Sequence, residues 1–112
     1  MPQLIPHARA TLHAAGLSIE YVRAGCGSTL VLLQPGASND PAARTLLDGL
    51  AQDHRVIAPV MPGDDTFSVT LESLLEALGV ECAGLVAVGV FREPAQEFVA
   101  SHPGRVASLV LL

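Results

Sequence analysis

The chain has 112 residues, half of them apolar and 15% charged; this supplies one modest core and excludes a disordered chain. Its six cationic side chains are all arginine, set against eleven acids for a formal charge of -5. With no basic cluster nucleic acid is not expected as a partner, and with no lysine Schiff-base chemistry and the phosphate-loop lysine are excluded.

In chain order, Ala8 to His13 and Leu17 to Arg23 alternate in part around Ala15 and Gly16, which predicts a β-hairpin. Beyond the loop from Gly25 to Ser28, Thr29 to Leu33 is too continuously apolar for a half-exposed strand and reads as one covered on both faces. Asn39, Asp40 and Pro41 form a helix start, and Ala43, Leu46, Leu47 and Leu50 give a stripe that predicts a helix from about Pro41 to Gln52. Val56 to Val60 reads as a buried strand and Met61 to Asp65 as the turn after it. Leu71, Leu74, Leu75 and Leu78 predict a second helix stopped by Gly79. A third buried strand from Leu85 to Val90, a third helix from Pro94 to Ser101 and a last strand from Val106 to Leu112 complete the series. Strands alternating with helices of about this length mean βαβ units around a parallel sheet.

The expected fold is therefore α/β: a three-layer sandwich in one domain, residues 1–112, with a mostly parallel sheet of about six strands, an N-terminal hairpin and about three helices. No stretch approaches the roughly 18 apolar residues of a membrane helix, and no charged start precedes an apolar run. A cytoplasmic protein without a membrane partner is expected. Cys26 and Cys82 lack metal-ligand spacing and read as incidental thiols. His7, His13, His54 and His102 lie far apart, so neither a metal site nor a cofactor is expected.

Several strings, in this order, resemble the α/β-hydrolase superfamily from Ala8 to Leu112. They are Leu30 to Leu33 with Gln34-Pro35-Gly36, Arg55 to Pro59 with Pro62-Gly63, and His102-Pro103 with Arg105-Val106 and Ser108 to Leu111. The resemblance implies the N-terminal half of that fold and a nucleophile elbow of the form Gly-x-Ser-x-Gly, where a strained turn lifts a hydroxyl above the sheet. Here the string is Ala87-Val88-Gly89-Val90-Phe91. Gly89 stands in the serine's place and Phe91 in that of the second glycine, so no acyl-enzyme is expected there. Gln34 aligns with the histidine of the family's oxyanion loop and Val60 with an aspartate. The family's acid and histidine follow later strands, so no triad is expected within this chain.

The expected function is thus a catalytically degenerate binding or assembly module. The alternatives are an active hydrolase or lyase with a non-standard or inter-subunit site, and a decayed remnant. The crevice at the carboxyl ends of the strands gives candidate ligand-binding residues Gln34, Pro35, Gly36, Gly89, Val90, Phe91 and Arg92, with a small apolar or anionic molecule as the ligand. The same residues also read as vestiges packed to fill space. Asp64 and Asp65 read as a solvated turn. An apolar last strand with few charges is a template for another strand, so a homodimer through Val106–Leu112 is expected.

Overall fold

The computed structural model describes residues 7–14, 16–33, 41–60 and 66–112. Its strands are β1 (His7–Ala14), β2 (Leu17–Ala24), β3 (Thr29–Leu33), β4 (Arg55–Pro59), β5 (Ala83–Ala87) and β6 (Val106–Leu111), and its helices α1 (Pro41–Ala51), α2 (Phe67–Ala77) and α3 (Arg92–Ser101). The strands form one sheet in the order β1-β2-β4-β3-β5-β6. β1 and β2 pair as an antiparallel hairpin with Ala14 opposite Leu17. Gly16 turns it at φ +76°, a conformation glycine reaches without the steric cost other residues bear. β2 meets β4 antiparallel, and β4, β3, β5 and β6 run parallel.

The continuous apolar runs of β3 and β5 have their reason in the two layers beside them. Successive side chains of a strand point to opposite faces. Val31, Leu33, Leu85 and Ala87 join a core with Leu71, Leu74 and Leu75 of α2 and Ala95 and Phe98 of α3. Leu32, Val86 and Val56 point the other way, into a second core with Leu47 and Ala51 of α1. Leu32, Leu33, Leu71, Leu74, Leu75 and Phe98 have no measurable exposure. Burial of each such side chain stabilises the fold by about 1.5–3 kcal/mol before entropy is counted.

Helix ends follow local chemistry. The α2 stripe of Leu71, Leu74 and Leu75 extends back through Thr70 to Phe67, all buried, so the helix begins four residues before the leucine pattern does. Gly79, at φ +71°, donates its N–H to Glu76 O, and Val80 donates to Leu75 O, a Schellman ending that satisfies two orphan carbonyls. The expected third strand is shorter than its apolar run: β5 stops at Ala87 because Gly89 turns to φ +62°. α3 begins at Arg92 rather than Pro94, which sits in the first turn, where a missing N–H removes no helix bond. No described helix is long and apolar enough to cross a membrane.

Candidate functional site

The end of β5 is tied to its neighbours before the chain turns. Val88 remains extended and donates its N–H to Leu33 O at 2.8 Å, so β3 and β5 finish side by side. Gly89 at φ +62° then opens a single 3₁₀ turn, Gly89–Phe91, that runs into α3. A residue with a Cβ pays roughly 1–2 kcal/mol for that left-handed backbone. The strand, left-handed turn and helix of a nucleophile elbow are thus all present, and the residue at their apex, a glycine, takes that turn without strain and has no side chain.

Phe91 does not break this geometry, because its ring turns inward. It is 6% exposed and stacks on Phe67 with centroids 5.8 Å apart at 24°. The ring fastens the turn to the start of α2 and leaves the crevice to its neighbours. Val90 points outward and is 72% exposed.

The Arg92 Nε donates to Gly89 O at 3.3 Å, and the Arg92 backbone N–H reaches the same oxygen. One carbonyl of the turn is therefore held by two donors. An open depression of about 440 Å³ adjoins it, lined by Gly89, Val90, Arg92, Glu93, Gln96 and Leu111. Gln96 lies four residues after Arg92 and three after Glu93, so one face of α3 supplies all three. An acid beside an arginine makes this surface mixed in charge. Glu93 is not legible as a helix-face residue when the helix is expected from Pro94 onward, and Gln96, within that helix, carries no local signal that it faces the crevice. Leu111 escaped the sequence reading as part of a strand.

Gln34, Pro35 and Gly36 lie outside the described residues, as do Ala37, Met61, Asp64 and Asp65. Val60, at the position aligned with an aspartate, is 64% exposed. Three histidines have local partners away from the depression. His13 Nδ1 is 3.0 Å from Ser18 Oγ across the hairpin, and His54 Nδ1 donates to Leu50 O at 3.3 Å. His102 Nε2 lies 3.2 Å from Glu72 Oε2, and its ring stacks on Phe98 at 4.5 Å. Cys26 and Cys82 are exposed thiols. Among the described residues no group of His, Cys, Asp or Glu could hold a metal ion.

No protein-family model matches the sequence, and no curated protein matches it. Solved structures do. Cfl2 of Burkholderia cenocepacia superposes with a TM-score of 0.82 at 29% identity, over 95% of this chain and 41% of that one. A variant of the meta-cleavage product hydrolase CumD gives 0.82 at 26%, over 92% of this chain and 44% of that one. The epoxide hydrolase CorEH gives 0.82 at 24%, over 95% and 42%. The chain has the α/β-hydrolase fold and spans about two-fifths of the length of these structures.

Proposed function

We propose that this chain is a catalytically silent α/β-hydrolase-like protein that works as a small binding and assembly module, as a homodimer joined through Val106–Leu112. The observation that carries the reading is Gly89. It sits at the apex of a strand–turn–helix elbow, at φ +62°, where the chemistry of acyl transfer needs a side-chain nucleophile. What surrounds Gly89 is suited to holding a molecule: an open depression with a guanidinium, a carboxylate and an amide on one helical face.

A second reading, an enzyme with a non-standard site, draws on Arg92 and Glu93 beside the turn, since a cation and an acid are usable in hydrolysis without a serine. A panel of activated esters and thioesters separates the two. The module reading expects rates equal to buffer. Turnover above buffer that disappears in Arg92→Ala, Glu93→Ala or Gln34→Ala variants establishes the second reading instead.

A further inference from the structure

We draw no further inference here: the strongest candidate, the side-chain cluster between the end of α3 and the start of β6 in which His102 Nδ1 and Arg105 Nε and Nη2 are buried without a hydrogen-bond partner, carries nothing, because those atoms are closed off from solvent and nothing in the structure shows what would take their bonds.

Discussion

Replacing Gly89 by alanine tests whether the elbow is held in its left-handed form. At φ +62° the glycine pays no Cβ penalty, whereas alanine there costs roughly 1–2 kcal/mol. The turn cannot relax freely. Val88 is bonded to Leu33, Gly89 N–H to Leu112 O, and the Phe91 ring is stacked on Phe67. In urea, with a slope of about 1–3 kcal/mol per molar, the loss lowers the unfolding midpoint by roughly 0.3–2 M. Gly104→Ala is the control: it has no positive φ and a Cβ there meets no atom within 4 Å, so its midpoint is expected to stay close to the parent's. Circular dichroism against urea measures both. A Gly89→Ala midpoint equal to that of Gly104→Ala would refute the fixed left-handed turn and the argument built on it.

Other substitutions probe how the frame is held. Gly84→Ala places a Cβ 2.5 Å from Leu30 Cδ2 and 2.9 Å from Ser108 Oγ in the middle of the sheet, and overpacking of that kind costs about 1–3 kcal/mol, read as a lower urea midpoint. Gly25→Ala is expected to be far more damaging than Gly16→Ala, although both have positive φ: at Gly25 the new Cβ collides with the His54 and Ala51 carbonyl oxygens, whereas at Gly16 it meets open space. Thermal melts of the pair check this, and equal losses contradict it. Phe98→Ala empties a site with no exposure beneath α3 and is expected to cost about 3–5 kcal/mol, a large part of the stability of a chain this small.

Much of the frame was legible in the sequence because its signals are local. The run Thr29 to Leu33 announced a strand covered on both faces, and it lies between β4 and β5 with helices on either side. Gly79 announced the end of α2 and ends it by a Schellman turn. Boundaries set by tertiary contacts were less legible. Nothing local distinguishes Val88 and Val90 from strand residues, and the positive φ of Gly89, locked by Leu33 and Leu112, ends β5 early. That a glycine stands at the turn between β5 and α3 could be read from the aligned string alone. The lining of the depression could not, because Leu111 is brought beside Arg92, Glu93 and Gln96 by the packing of α3 against β6 and not by sequence spacing. The inward turn of Phe91 depends likewise on Phe67, distant in sequence.

Restoring the missing hydroxyl tests the central claim most directly. A Gly89→Ser variant, shown by circular dichroism to be folded, is compared with the parent chain on activated phenyl esters and thioesters at neutral pH. An unactivated serine hydroxyl is a poor nucleophile, and neither His13, His54 nor His102 lines the depression to act as its base. The account predicts buffer-level rates for both proteins. Clear turnover by the parent, or turnover acquired with Gly89→Ser, would contradict it by revealing a working base at the elbow.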